Sequence, residues 1–184
     1  MVNVHSRVFA ASVDRIRPWV EACWSGTERD AFPRDVIPTW RKNPPGFDPG
    51  ALVPGKTVLC HGSFRFRLLT WDGAHWRVEC RGAASGWHGF DLDEHDRGCQ
   101  LTHTLDVELS GAMRLIMPLV IEPIHDWAVE SIFDRMEEAL RTGRVPARTA
   151  RPMPRRAALS FKLMRAVPRR FRREWGSLAS PTTA

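Results

Sequence analysis

The chain has 184 residues, a net charge of +6 and four cysteines, with eight tryptophans, nine phenylalanines and no tyrosine. This length fits one domain with an appendage. The cysteines form no CxxC pair, which argues against a zinc-knuckle or dithiol motif, and we interpret them as reduced residues of an intracellular protein. The longest apolar run, near 115–121, is too short to span a bilayer and is broken by Pro118.

The charge is divided unevenly along the chain. From Arg144 onward there are ten arginines and one lysine against a single acidic residue, Glu174. Residues 1–143 therefore hold 16 basic and 20 acidic residues and are mildly acidic. We predict a ligand-binding domain over 1–143, followed by a basic C-terminal tail, rich in proline and arginine, over 144–184.

The first elements are a strand, a helix and a long loop. Residues 2–9 alternate as a strand, with Val4, Ser6 and Val8 on one face. Ser12 is a good N-cap for a helix over 13–24, although Pro18 falls inside it. Residues 25–54 are rich in Pro and Gly, which predicts a short helix or strand followed by a loop that covers a site. Because the chain enters a strand directly, we expect no signal peptide and a cytoplasmic protein.

Five further strands follow, at 56–61, 63–71, 75–81, 86–94 and 99–109. Asp72-Gly73 is a strong hairpin turn between two of them. Each strand alternates an apolar face with a polar one, which is typical of an antiparallel sheet with one covered face. We assign the residues Phe64, Phe66, Trp76, Phe90 and Leu105 to that covered, inner face.

The segment 111–143 reads as one long amphipathic helix. Gly143, just after the last apolar residue, is a plausible C-cap. A helix of this length after a run of strands lays its apolar face on the sheet. Apolar residues and one histidine recur at three- and four-residue spacing: Pro118, Ile121, His125, Val129, Ile132, Met136 and Leu140. The acidic residues fall on the flank or the opposite side: Glu122, Asp126, Glu130, Asp134 and Glu137.

Three histidines lie on apolar faces of different elements: His88, His103 and His125. Each is either a core histidine with a hydrogen-bond partner or part of one shared ligand cavity, and both interpretations stay open. The second predicts an internal hydrophobic cavity between the sheet and the helix. We expect it to be lined by Phe64, Phe66, Trp76, His88, Phe90, His103, Leu105, Ile121, His125 and Val129.

The order of elements resembles the helix-grip fold of the START/SRPBCC superfamily, over about residues 4–143. That superfamily includes polyketide cyclases and dehydrases, lipid-transfer domains and the birch-pollen-allergen family. Three segments are similar to a pattern of uncharacterised bacterial SRPBCC proteins: GWHGF at 86–90, LTHTL at 101–105, and PIHD at 123–126 followed by Glu130. The resemblance implies an α+β fold in which a curved antiparallel sheet wraps around a long C-terminal helix. Because this fold serves many functions, it does not specify one.

Two function classes follow for such a cavity. The first is a carrier or sensor that binds a hydrophobic small molecule, lipid or polyketide-like. The alternative is a cofactor-independent cyclase or dehydratase, with His125 as acid/base group and His88 and His103 as partners or orienting groups. We expect no cofactor and no metal, because Zn²⁺ needs its imidazoles within bonding distance of one ion and these three come from separate elements.

The tail allows three interpretations. A solvated arm that sometimes packs on the domain is the simplest. A basic segment with an apolar face also suits an anionic membrane surface, which would make the protein peripheral to the membrane. Its apolar residues include Phe161, Met164, Phe171 and Trp175. Nucleic acid is an unlikely partner, because no base-reading fold accompanies the charge.

Overall fold

The computed structural model describes residues 1–25, 39–42, 52–61, 64–143 and 151–166. The strands are β1 (Val2–Phe9), β2 (Thr39–Lys42), β3 (Val58–His61), β4 (Phe64–Trp71), β5 (His75–Cys80), β6 (Ala84–His95) and β7 (Gly98–Leu109). The helices are α1 (Val13–Ser25), α2 (Met113–Ile116), a π-helical turn (Met117–Ile121), α3 (Glu122–Thr142) and α4 (Arg155–Ala166).

The seven strands form one antiparallel sheet in the order β1-β7-β6-β5-β4-β3-β2. Burial alternates along β5 and through most of β7, so that one face of the sheet is covered. The predicted inner positions Trp76, Phe90 and Leu105 are all buried. The predicted strands and their boundaries are confirmed to within a few residues.

The long helix covers that inner face. It runs from α2 through the π-helical turn into α3, and Gly143 ends it with φ of 71°. The Gly143 N–H donates to the Ala139 carbonyl at 2.8 Å, as the predicted C-cap requires. Pro118 lies in the π-helical turn, where its missing N–H disturbs the regular hydrogen-bond pattern.

The interior divides into two apolar clusters. The large cluster joins the sheet and α1 to α3, and its α3 members are Val129, Ile132, Phe133 and Met136. The small cluster lies at the start of the long helix and contains Cys80, Leu105, Val107, Met113 and Met117. Phe66 packs against both clusters. Two of the cysteines, Cys80 and Cys99, are buried and free. Burial raises the pKa of the Cys80 thiol to about 12, helped by the Glu79 charge.

The first strand presents a polar inner face. Val4 shares a face with Val2, as the alternation predicts, but that face is the outer one: Val2 is 65% and Val4 55% exposed. The residues turned toward α3 are Asn3, His5 and Arg7, which hydrogen-bond to its acidic side chains. At this edge of the sheet, the inner face of β1 is covered both by these hydrogen bonds and by the burial of Phe9 in the large cluster.

The first part of the tail packs on the long helix. Ala157 and Ser160 of α4 are almost fully buried. The Phe161 and Trp127 rings meet edge-to-face with centroids 6.2 Å apart, and the Ser160 hydroxyl donates to the Leu119 carbonyl at 3.2 Å. Phe161 therefore faces the domain, whereas Phe171 and Trp175 lie outside the described residues. The boundary at Gly143 stays a prediction. None of the described helices is both long and apolar enough to cross a membrane.

Candidate functional site

Neighbouring strands bring two of the predicted histidines onto the same inner surface. His103 on β7 pairs in register with Phe90 on β6 and, on its other side, with His5 on β1. His88 lies two residues before Phe90 on β6, so both side chains point to the same face. His125 approaches this surface from α3, across the space between helix and sheet.

Their rings form a continuous row, which we call the histidine row: His88, His103, His125 and His5. The ring centroids are 5.8 Å apart for His88 and His103, and 4.9 Å for His103 and His125. His5 continues the row, with its ring centroid 6.2 Å from that of His125. Phe66 begins it, with its ring edge-to-face to His88 at 4.6 Å. The three predicted histidines therefore converge, and a fourth joins them.

The row runs between the two apolar clusters. His103 contacts Phe90 of the large cluster, with ring centroids 4.7 Å apart. His88 lies opposite Leu105 of the small cluster in the β6–β7 register. His88 and His103 are 9% and 3% exposed. The His88 and His103 imidazoles are thus placed between apolar side chains.

The remaining predicted lining residues fall around the row or in the adjoining core. Trp76 is fully buried opposite Phe90 and contacts Trp71. Val129 belongs to the large cluster, and Ile121 packs against the small one. Phe64 lies in β4, but its side chain is outside the described part of the structure. The predicted internal cavity stays a prediction.

Two carboxylates on α3 close the outer end of the row. Asp126 Oδ1 lies 3.2 Å from His5 Nε2 and 3.8 Å from His125 Nδ1. Glu130 Oε1 lies 2.9 Å from His5 Nδ1, so both ring nitrogens of His5 face a carboxylate. Both ring nitrogens of His125 are shielded from solvent, and neither makes a hydrogen bond to any described residue. The row thus passes from buried imidazoles to a partly exposed acidic end.

These contacts belong to a longer polar ladder between β1 and α3. Asn3 donates to Asp126, His5 bridges Asp126 and Glu130, and Arg7 donates to Glu130 and Asp134. Each step of two residues along the strand covers about 6.7 Å, and each step of four along the helix about 6 Å. Because the two spacings are similar, each inner-face residue of β1 lies opposite the next acidic residue of α3.

The ladder changes the protonation of its members. The hydrogen bond to Asp126 raises the pKa of His5; burial opposes this, and Glu130 adds to the increase. Burial alone would raise the pKa of Asp126, but the imidazoles of His125 and His5 and the Asn3 amide hold it well below its usual value. Asp126 is accordingly a carboxylate near neutral pH, and His5 holds its proton to higher pH than a free imidazole.

Analysis of the sequence alone missed His5, Asp126 and Glu130. The signal was present in two periodicities. Polar residues occupy every second position of β1, and acidic residues every fourth position of α3. Matching the two periodicities would have placed His5 beside the acidic flank of α3.

The outer end of the row also groups metal-binding side chains. One donor atom each from His5, His125 and Asp126 lie within 4.8 Å of one another. The buried part of the row suits different chemistry. A neutral imidazole can accept a proton from a carbon acid or polarise a carbonyl group, and the Asp126 carboxylate lies 3.8 Å from His125 Nδ1.

Comparison with solved structures identifies the fold. The crystal structure of Ara h 8.0201 is similar with a TM-score of 0.50 and 12% identity, over 77% of this chain and 98% of that one. Protein SSP2350 from Staphylococcus saprophyticus matches with a TM-score of 0.48 and 11% identity, over 79% and 96%. The Polyketide_cyc-like protein Cgl2372 from Corynebacterium glutamicum matches with a TM-score of 0.33 and 13% identity, over 89% and 91%.

No family model matches the chain, and no curated protein matches it in sequence. The structural likeness therefore identifies the fold alone. The protein is an α+β helix-grip protein, in which a curved antiparallel sheet wraps around a long C-terminal helix, as the order of elements predicts.

Proposed function

We propose that this protein binds a hydrophobic small molecule, lipid or polyketide-like, between the sheet and the long helix, as a carrier or sensor. The observation that carries the proposal is the histidine row set between two apolar clusters. Sites for hydrophobic ligands are mostly apolar, with a few polar groups that fix orientation. His88 and His103 supply such groups here, and Phe66, Phe90 and Leu105 supply apolar contact.

Trp76 adds a further polar group on the inner face. Its side chain is fully buried, and its indole Nε1 has no acceptor among the described residues. A buried indole N–H without an acceptor costs free energy unless something accepts from it. A carbonyl or carboxylate on an otherwise apolar ligand would do so, which favours an amphipathic ligand over a pure hydrocarbon.

Binding can be tested with anilinonaphthalene sulfonate as a fluorescent probe, together with mass spectrometry of molecules extracted from the purified protein. Leu105→Trp adds bulk on the inner face and should weaken probe binding by about tenfold or more. Val4→Trp adds the same bulk on the outer face and should leave binding unchanged. Ile121→Trp tests the same space from the helix side if Leu105→Trp does not fold. Equal binding by the inner and outer variants would overturn the proposal.

An enzyme is the second candidate, and one observation favours it. His125 has both ring nitrogens shielded from solvent beside Asp126, with its ring against His103. That arrangement suits an acid/base group of a cofactor-independent cyclase or dehydratase. With a linear poly-β-ketone thioester as probe, His125→Phe should lower turnover about 10²–10⁴-fold. If the wild-type protein does not cyclise or dehydrate the probe, the carrier function stands and His125→Phe should change affinity little.

We further propose an anionic membrane surface as a partner of α4 and the start of the long helix. Four exposed leucines lie on these elements, namely Leu115, Leu119, Leu159 and Leu163. The Arg156 guanidinium donates to the Pro118 carbonyl, which holds the two elements together. Arg114, Arg155 and Lys162 are exposed on the same elements. Exposed leucines with cationic neighbours on the same elements are suited to anionic lipid, and the protein would then be cytoplasmic and peripheral to the membrane.

Vesicle sedimentation tests this surface. Replacing Leu159 and Leu163 by Ser should abolish binding to vesicles that contain phosphatidylserine, whereas Val4→Ser should not. Binding of the unchanged protein should weaken with salt, because charge attraction decays over about 8–10 Å at physiological ionic strength. Equal binding by both variants would contradict the proposal.

A further inference from the structure

We infer that His5, His125 and Asp126 form a binding site for one divalent transition-metal ion, with Zn²⁺ as the representative ion. The site lies where β1 meets α3, at the outer end of the histidine row, and it shares His125 with the proposed ligand space. It does not depend on the identity of any hydrophobic ligand.

The distances come close to those of a coordination sphere. Ligands of a tetrahedral Zn²⁺ lie about 2.0–2.2 Å from the ion, and therefore about 3.3–3.5 Å from one another. His5 Nε2 and Asp126 Oδ1 are 3.2 Å apart, and His125 Nδ1 and Asp126 Oδ1 are 3.8 Å apart. All three donor atoms lie within 4.8 Å of one another. Small side-chain rotations are enough to converge on one ion.

The Glu130 carboxylate orients the imidazole of His5. Metal-binding histidines usually donate their other ring N–H to a carboxylate or carbonyl, which fixes the tautomer and the ring plane. Glu130 Oε1 lies 2.9 Å from His5 Nδ1, which directs Nε2 toward Asp126. Arg7 in turn donates to Glu130 Oε2 at 2.7 Å. His5 is thus held as a metal ligand would be.

The local charge favours a cation. Five carboxylates line this flank of α3: Glu122, Asp126, Glu130, Asp134 and Glu137. The permanent cations that face them among the described residues are Arg7 and Arg151. His5 is the remaining titratable group facing them from β1. A divalent ion would reduce this excess of negative charge at the place where His5 and Asp126 meet.

The donor set selects the class of ion. Two imidazoles with one carboxylate suit Zn²⁺, Co²⁺, Ni²⁺ or Fe²⁺, whereas Mg²⁺ and Ca²⁺ prefer oxygen ligands alone. Three protein ligands leave a fourth position for water or another small ligand. The Asp126 side chain is 42% exposed, whereas those of His5 and His125 are 15% and 16% exposed. An ion can therefore enter from solvent along Asp126.

Equilibrium dialysis of the full chain against Zn²⁺, with the bound metal measured by mass spectrometry, tests the inference. We expect about one ion per chain with a Kd of about 1 μM or tighter. His5→Gln and His125→Gln should each weaken binding by at least about 100-fold, and Glu130→Gln by about 10–100-fold. His75→Gln is the matched control, because His75 also lies beside a carboxylate, with Nδ1 3.0 Å from Asp72 Oδ2. It should bind Zn²⁺ like the wild type.

Imidazole ¹⁵N spectra of the unsubstituted protein give a readout that no folding defect can obscure. Zn²⁺ should shift the ring-nitrogen signals of His5 and His125 and leave those of His75 and His95 in place. Absence of stoichiometric binding would overturn the inference. Unchanged affinity in His5→Gln would do so too, as would shifts confined to His75 or His95.

Discussion

The two sides of α3 hold it to the sheet by different means. Its apolar face enters the large cluster, where Phe133 is fully buried and meets the rings of Phe9 and Phe90 edge-to-face. Its acidic flank meets β1 through the polar ladder, whose side chains remain partly exposed. Burial of a large side chain contributes about 2–3 kcal/mol, whereas exposed ion pairs contribute about 0–1 kcal/mol. The comparison indicates that the apolar face supplies stability and the flank supplies orientation.

The largest loss of stability is expected from a substitution on the apolar face of α3. Phe133→Ala leaves a cavity among the rings of Phe9 and Phe90 and removes the contact with the Arg7 guanidinium, 5.4 Å from the ring centroid. It should lower the free energy of unfolding by about 3–5 kcal/mol in urea denaturation. Leu119→Ala, at a 61% exposed position of the same long helix, should change it by less than about 0.5 kcal/mol. Similar losses for both variants would remove the distinction between the two sides.

The second largest loss of stability is expected when α4 is removed. A chain ending at Gly143 should fold cooperatively, as the predicted boundary requires, but should lose about 1–3 kcal/mol because Trp127 and Ala128 become exposed. A chain ending at Ala166 keeps these contacts and should match the full chain. Thermal unfolding of the three chains measures the difference. An unfolded 1–143 chain would show that the boundary is wrong.

A smaller loss of stability is expected from a substitution that disturbs the acidic flank of α3. Arg7→Gln leaves Glu130 and Asp134 without their strongest partner on β1, and should cost about 1–2 kcal/mol. Arg141→Gln is the control, because Arg141 pairs with Glu138 on the exposed surface of the same helix and with no other acidic side chain in the described part of the chain, so its loss should have little effect. If Arg7→Gln cost as much as Phe133→Ala, the flank would be a source of stability equal to the core.

The smallest effect is a pH dependence at Asp134. Burial alone would raise the pKa of Asp134, but the Arg151 and Arg7 guanidinium groups hold it below its usual value. Because the folded-state pKa is the lower one, this carboxylate adds stability above pH 4, and the contribution is lost as the pH falls below that. The stability gap between wild type and Asp134→Asn should therefore be wider near about pH 6 than near about pH 3. A gap that does not narrow in acid would contradict this assignment.

The sequence predicted the positions of side chains correctly where a single periodicity determines which face of an element they occupy. Alternation placed His88 and His103 on the inner face, helical spacing placed His125 opposite them, and Gly143 marked the helix end. It was less informative at β1, where alternation placed Val4, Ser6 and Val8 on one face without indicating that Val4 is exposed, and His5 was passed over. No local pattern reports which acidic side chains Asn3 and His5 contact, because these partners lie about 120 residues away.

Two further features of the structure could not be predicted from local sequence patterns. The π-helical turn at Met117–Ile121 depends on how the hydrogen bonds rearrange around Pro118. The packing of α4 on α3 depends on Trp127, a residue that looks like part of the exposed side of the long helix until a second helix covers it. Both are consequences of tertiary contact rather than of the composition of the segment.

The most direct test of the account is an imidazole ¹⁵N spectrum recorded while anilinonaphthalene sulfonate is added to the metal-free protein. If a hydrophobic molecule binds between the sheet and the long helix, the ring signals of His88, His103 and His125 should shift together with saturation of the probe. The signals of His75 and His95 should stay unchanged. A bound probe that leaves the signals of His88, His103 and His125 unshifted, or that shifts those of His75 and His95 instead, would contradict the account.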